Sequence, residues 1–264
     1  MGELKKRVLA GICLAPLVAS LFYFLPLRWF FLFLVLIDAL AILELITMAK
    51  VSRKYLPLLL VISSLLPLYY KSYQTYVLWL LLAPLVYLAF ELIAGQDKRQ
   101  EANEEILKGI VVILICEIFI TLPFYYVYLL KELNGSLPLI LLFSVWASDT
   151  FAYFAGKTFG KTPLVPGISP KKTREGLLGA LFGSMLIIFL ASPLSGMGAV
   201  KSLTVGAAIG FLGQLGDIFE SIGKRVSGIK DSSALIPGHG GILDRMDSFI
   251  FTAPFLYNFM VWQV

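Results

Sequence analysis

Long apolar runs alternate with short polar connectors from residue 8 to the end of the chain. About 20 mostly apolar residues make a helix long enough to cross a bilayer. Nine runs of roughly that size can be marked, at 8–25, 29–48, 55–70, 76–94, 106–130, 137–155, 177–191, 203–222 and 249–264. The pattern predicts an all-α, polytopic integral membrane protein with about nine transmembrane helices. It divides into a scaffold of about five helices over 1–135 and a region over 136–264 whose polar loops, 156–176 and 223–247, are where chemistry is expected. The connector 95–105 mixes charges of both signs and offers no ligand spacing.

Composition agrees, with 58% hydrophobic residues, 15% charged residues and a mean hydropathy of +0.85. Loops left in the cytoplasm carry the Lys and Arg excess. All but four of the 22 Lys and Arg residues fall on the N-terminal side of the membrane; the exceptions are Arg28, Lys71, Lys131 and Lys201. The N-terminus is therefore expected in the cytoplasm and the C-terminus outside, in a cell inner membrane or plasma membrane. The net charge of +5 then reflects orientation and anionic headgroups. No aromatic-basic module is visible, and no nucleic-acid partner is expected. Cys13 and Cys116 both fall in apolar runs and read as small buried hydrophobes. The first run lacks a small-residue cleavage site and is expected to be retained.

Carboxylates within or near apolar runs are costly unless paired or hydrated, which makes each a functional candidate. Asp38, Glu44, Glu91, Glu117, Asp149, Asp217 and Glu220 qualify. Glu91 lies near a helix end that can reach interfacial water, Glu117 can be protonated or paired, and Asp38 and Glu44 suit interhelical roles. Asp217 differs, because Asp217, Ser221 and Lys224 follow the spacing that stacks side chains on one helix face. Asp244 and Asp247 stand three apart at the entry to the last run, and with Asp217 they offer three hard oxygen ligands suited to magnesium. The plainer alternative is that these two favour a helix N-terminus by dipole interaction.

Upstream, the glycine cluster at 237–241 is either a phosphate cradle or a tight turn. His239 is a turn residue, a proton donor or a phosphate contact, and a single histidine is too few soft ligands for zinc. Lys224, Arg225, Lys230 and Arg245 surround the carboxylates with positive charge. Ser169, Lys171, Lys172 and Thr173 form a second basic patch facing anionic headgroups or a nucleotide.

These residues resemble one family, the phosphatidate cytidylyltransferases. The signature is carried by Ser221, Lys224 and Arg225, Lys230 and Asp231, His239 with Gly240 and Gly241, Asp244 and Arg245, and Asp247. Upstream, Ser148, Asp149, Thr150, Gly156, Lys157, Gly160, Lys161 and the Ser169 to Thr173 stretch with Glu175 and Gly176 also look like the family pattern. Gly223 departs from it, since a larger apolar residue is usual there. The resemblance implies transfer of a cytidylyl group from CTP to phosphatidic acid, a magnesium requirement and a homodimer. On that reading Asp217, Asp244 and Asp247 hold one or two metal ions, and Lys224 and Arg225 stabilise the leaving pyrophosphate. Ser221, Asp231 and His239 orient substrate or ligands, with Lys230, Arg245, Gly240 and Gly241 lining the site and Asp149 supporting the metal ligands. Two other readings stand beside it. A CDP-alcohol phosphotransferase would carry an Asp-Gly-x-x-Ala-Arg run, absent here, and an ion-coupled transporter would use Asp38, Glu44 and Glu117.

Overall fold

The computed structural model describes residues 3–94, 99–229, 232–233 and 240–262, with side chains from residue 14 onward apart from those of 99–102. The predicted site residues Lys230, Asp231 and His239, and the side chain of Cys13, lie outside the described residues. The chain folds as helices α1 (Glu3–Phe24), α2 (Leu27–Met48), α3 (Tyr55–Ser63), α4 (Leu65–Tyr69), α5 (Tyr73–Ile93) and α6 (Arg99–Cys116). A π-helical segment, Glu117–Thr121, joins α6 to α7 (Leu122–Leu133), and α8 (Leu137–Phe159) follows. The strands β1 (Pro163–Val165) and β2 (Ser169–Thr173) precede α9 (Arg174–Leu190), α10 (Ser192–Ser195), α11 (Ala199–Val226), α12 (Leu243–Met246) and α13 (Phe249–Trp262).

Among the described residues each apolar run is helical, and five helical stretches there are long and apolar enough to cross a membrane: α2, α5, Asn103–Leu133 through the π segment, α8 and α11. The fold is that of an all-α, multi-pass membrane protein. Two departures have local causes. The run at 55–70 is split at Ser64, where the Ser63 and Ser64 hydroxyls donate to the carbonyls of Leu60 and Val61, both at 2.7 Å. The π segment ends two residues before Pro123, which has no N–H to donate and crowds the preceding turn. The widened turn leaves the Glu117 carbonyl within 3.1 Å of the Tyr76 hydroxyl, which donates to it.

Lipid tails are as apolar as Leu, so close packing rather than apolar burial holds such helices together. The most extensive helix contacts are those of α9 with α8 on one side and α11 on the other. A Cβ on Gly183 would stand 2.6 Å from the Ala147 carbonyl oxygen, so α8 and α9 meet backbone to backbone. Around α2 the core is larger, with Phe30, Ile42, Ile46, Ile113, Leu130 and Leu141 fully buried. Asp38 and Glu44 of α2 are buried as well, on different sides of the helix, Asp38 against Thr121 and Glu44 against residues 232–243. Asp38 accepts from the Thr121 hydroxyl at 3.1 Å, the interhelical role expected of it. Glu91 corrects its expectation: it is 2% exposed and pairs with Arg53 at 3.8 Å instead of reaching water.

The loop after α8 also holds a surprise. Residues 156–176 read as a polar loop with no regular structure of their own, yet β1 and β2 pair antiparallel with Pro163 opposite Thr173 and Val165 opposite Ser169. The hairpin returns the chain to α9, whose first turn is capped by the Thr173 hydroxyl accepting from the Gly176 amide at 3.0 Å.

Candidate active site

Four residues of α11 at helical spacing, Asp217, Glu220, Ser221 and Lys224, build the site's floor. Ser221 donates to Asp217 at 3.3 Å. Lys224 forms an ion pair with Glu220 and donates to Asp244 at 2.6 Å, so one ammonium joins α11 to α12. Gly216 permits the crossing, because a Cβ there would overlap the Asp247 carbonyl. Asp217, Glu220 and Asp247 thereby bring one oxygen each within 4.8 Å of one another. Glu220 replaces Asp244 in the expected trio. It shares the stripe of Asp217 and Lys224, so helical spacing, which singled out only Asp217, Ser221 and Lys224 in the sequence, could have found it.

Asp244 is instead wrapped by donors. Its second oxygen accepts from the Gly241 amide at 2.8 Å, the Ser232 amide at 3.0 Å and the Ser232 hydroxyl at 2.8 Å. Burial works to raise its carboxyl, but Lys224, Gly241 and Ser232 outweigh burial and hold it well below the usual carboxylate range. Asp247 shows the opposite balance. Burial, then the charges of Asp217, Glu220 and Asp149, push its carboxyl well above that range, although the Ser248 amide donates to it at 2.7 Å. The Gly241 amide, expected to face phosphate, is spent on Asp244, and Gly240 takes a left-handed φ of 82° around the same carboxylate.

The hairpin closes one side. Lys172 pairs with Asp217 at 2.7 Å and donates to the Gln214 carbonyl at 3.4 Å. Arg225 donates to the carbonyls of Ile168 at 3.3 Å and Ile229 at 3.1 Å, clasping the hairpin turn to the end of α11. Asp149 of α8 accepts from Gln214 at 3.4 Å and lies within electrostatic reach of Asp217, Lys172 and Arg245. Ser169 and Lys171 lie on the same strand as Lys172, with Lys171 exposed, and the Thr173 hydroxyl is committed to capping α9.

Beside the carboxylates an apolar cleft of about 660 Å³ opens between α2, α6 and α11. Met48, Val111, Ile115, Phe219 and Gly223 line it, Glu220 reaches its wall, and Lys50 and Lys108 line it too. Gly223 keeps it open: a Cβ there would meet only the Met48 methyl, at 3.8 Å.

Comparison with known proteins identifies the family of the chain. A family model described as the cytidylyltransferase family matches residues 5–262. The phosphatidate cytidylyltransferase of Bacillus subtilis is 34% identical over 97% of this chain and 97% of its own length. That of Thermotoga maritima is 31% identical over 97% of this chain and 96% of its own. The Aquifex aeolicus phosphatidate cytidylyltransferase is 44% identical over a shorter stretch, 51% of each protein, so the chain matches about half the length of that relative. On a match that runs nearly end to end, the chain belongs to the cytidylyltransferase family.

Proposed function

We propose that this protein is a CTP:phosphatidate cytidylyltransferase, which joins CMP from CTP to phosphatidic acid and releases pyrophosphate and CDP-diacylglycerol. The observation that carries the reading is the junction of two unlike environments. Three carboxylates converge beside Lys172 and Lys224, and an apolar cleft starts at one of those carboxylates, Glu220. A polar nucleotide and a two-tailed lipid phosphate need that combination.

The donor set fits magnesium. All three groups are hard oxygen ligands, and the Glu220 oxygens accept no hydrogen bond among the described residues, their partner being the Lys224 ion pair. Asp217, Glu220 and Asp247 would hold the ion, with Asp149 supporting Asp217 through the Gln214 and Lys172 contacts. When bound, magnesium supplies charge neutralisation at phosphate oxygens. A second ion remains part of the proposal.

The phosphatidate oxygen is already anionic near neutral pH and attacks the α-phosphorus of CTP without a strong base. The bond from that phosphorus to the bridging oxygen breaks, and its electron pair leaves on pyrophosphate. Positioning and charge are what the protein must provide. Lys172 and Arg225, where the hairpin meets α11, are assigned to the leaving pyrophosphate with Lys171 and Arg245. Lys224 keeps Glu220 and Asp244 in place. Ser221 orients Asp217, and the cleft takes the acyl chains while Lys50 and Lys108 meet the lipid phosphate.

We assign nine membrane crossings to the chain, with the N-terminus and the site in the cytoplasm, and a homodimeric assembly. The orientation rests on the Lys and Arg distribution; the ion pairs Arg53 with Glu91 and Lys71 with Glu132 join residues which that distribution assigns to the same side. The transporter reading loses ground because Asp38 and Glu44 are bonded within the chain. A CDP-alcohol phosphotransferase is not favoured by the family match.

Purified protein carrying Asp217→Asn or Glu220→Gln should lose magnesium-dependent turnover by roughly 100-fold or more. Turnover that survives alanine at both Asp217 and Asp247 would overturn the site.

A further inference from the structure

A carboxylate 7% exposed in the N-terminal half of the chain collects four hydrogen bonds from a polar loop some 190 residues away. This is Glu44 of α2. Its Oε1 accepts from the Ser233 hydroxyl at 2.6 Å and the Ile242 amide at 2.9 Å. Its Oε2 accepts from the Leu243 amide at 2.9 Å and shares the single proton of the Ser232 hydroxyl, 3.0 Å away, with Asp244. Each oxygen thus faces one hydroxyl and one backbone amide. The Ser232 hydroxyl also lies 2.8 Å from Asp244, so the chain of contacts runs from α2 through Ser232 to the carboxylate that holds Lys224.

We propose that Glu44 is a positioning residue for the carboxylate cluster, fixing residues 232–233 and 241–243 so that Asp244 and Asp247 face α11. All four partners are donors, which only an ionised carboxylate satisfies in full. Glutamine has the same size, but its NH₂ must face either the Ile242 or the Leu243 amide, and neither can accept. The close fit is independent evidence of a built contact: a Cβ on Gly241 would run into both the Ser232 hydroxyl and the Glu44 carboxylate. The glycine pair before α12 is therefore explained by two carboxylates that the backbone must approach.

The test is Glu44→Gln in the full-length protein, read in two ways. Amide hydrogen exchange across 241–247 requires no turnover and should rise at least about tenfold at Ile242 and Leu243. The magnesium concentration for half-maximal turnover should rise about tenfold, the scale expected when a group supporting a metal ligand is lost, with the KM for phosphatidic acid little changed. Asp38→Asn, on the same helix and away from the site, should leave both readouts alone. If Glu44→Gln fails to fold, Ser233→Ala removes one donor and should move both readouts in the same direction, two- to threefold. Unchanged exchange overturns the proposal. So does faster exchange with an unchanged magnesium dependence, since Glu44 would then only anchor the loop. The turnover arm rests on the function proposed above. Absence of turnover in the unaltered protein would sink that function, and the slowing of exchange across 241–247 by added magnesium, expected to be weaker in Glu44→Gln, would then replace the turnover arm in deciding the role of Glu44.

Discussion

Asp244 keeps its charge in a site 9% exposed because Lys224, Gly241 and Ser232 all donate to it. Its folded pKa lies below the unfolded value of about 4. The resulting stability is complete above that unfolded value and is lost as pH falls toward the folded one. Asp244→Asn should therefore destabilise the protein at pH 7, and the penalty should shrink below about pH 4. Denaturant unfolding at the two pH values reads this, and an equal penalty at both would contradict it. At this scale the sequence was legible wherever contacts are local. Asp217, Ser221 and Lys224 follow from the helical period, and the same period runs through Glu220. Glu44 carries no such signal, since its partners lie at 232–243 and only folding brings them together.

Among the elements, the cleft between α2, α6 and α11 yields the sharpest prediction. Gly223 leaves open the space in front of Met48. Gly223→Leu should fill it, lowering turnover of long-chain phosphatidic acid several-fold while sparing a short-chain analogue. An equal effect on both lipids would separate the cleft from the acyl chains. The β1–β2 hairpin shows why an element can hide in a sequence. With Pro163, Pro166, Gly167 and Pro170 the stretch carries turn signals, and five residues of β2 show no clean alternation. Its pairing is fixed by tertiary contacts, Lys172 to Asp217 and Arg225 to the Ile168 carbonyl. The helices were legible because lipid demands uninterrupted apolar length. The break at Ser64 and the π segment before Pro123 depend on hydroxyl and proline geometry that hydropathy does not see.

Across the whole molecule, the apolar pattern and the Lys and Arg distribution together make a topology that labelling can test. A cysteine replacing Lys201 should react with a membrane-impermeant thiol reagent in intact cells, and one replacing Lys157 only after permeabilisation. The reverse pattern would invert the assigned orientation. The site itself unites both halves of the chain, since α2 carries Glu44 and lines the cleft while α11 to α13 carry the acidic cluster. The most direct measurement follows the fate of phosphorus in the purified protein supplied with phosphatidic acid and magnesium. Label in the α-phosphate of CTP should enter the lipid product one for one with pyrophosphate release, and label in the γ-phosphate should remain in pyrophosphate. Lipid labelled from the γ-position, or no labelled lipid at all, would contradict cytidylyl transfer.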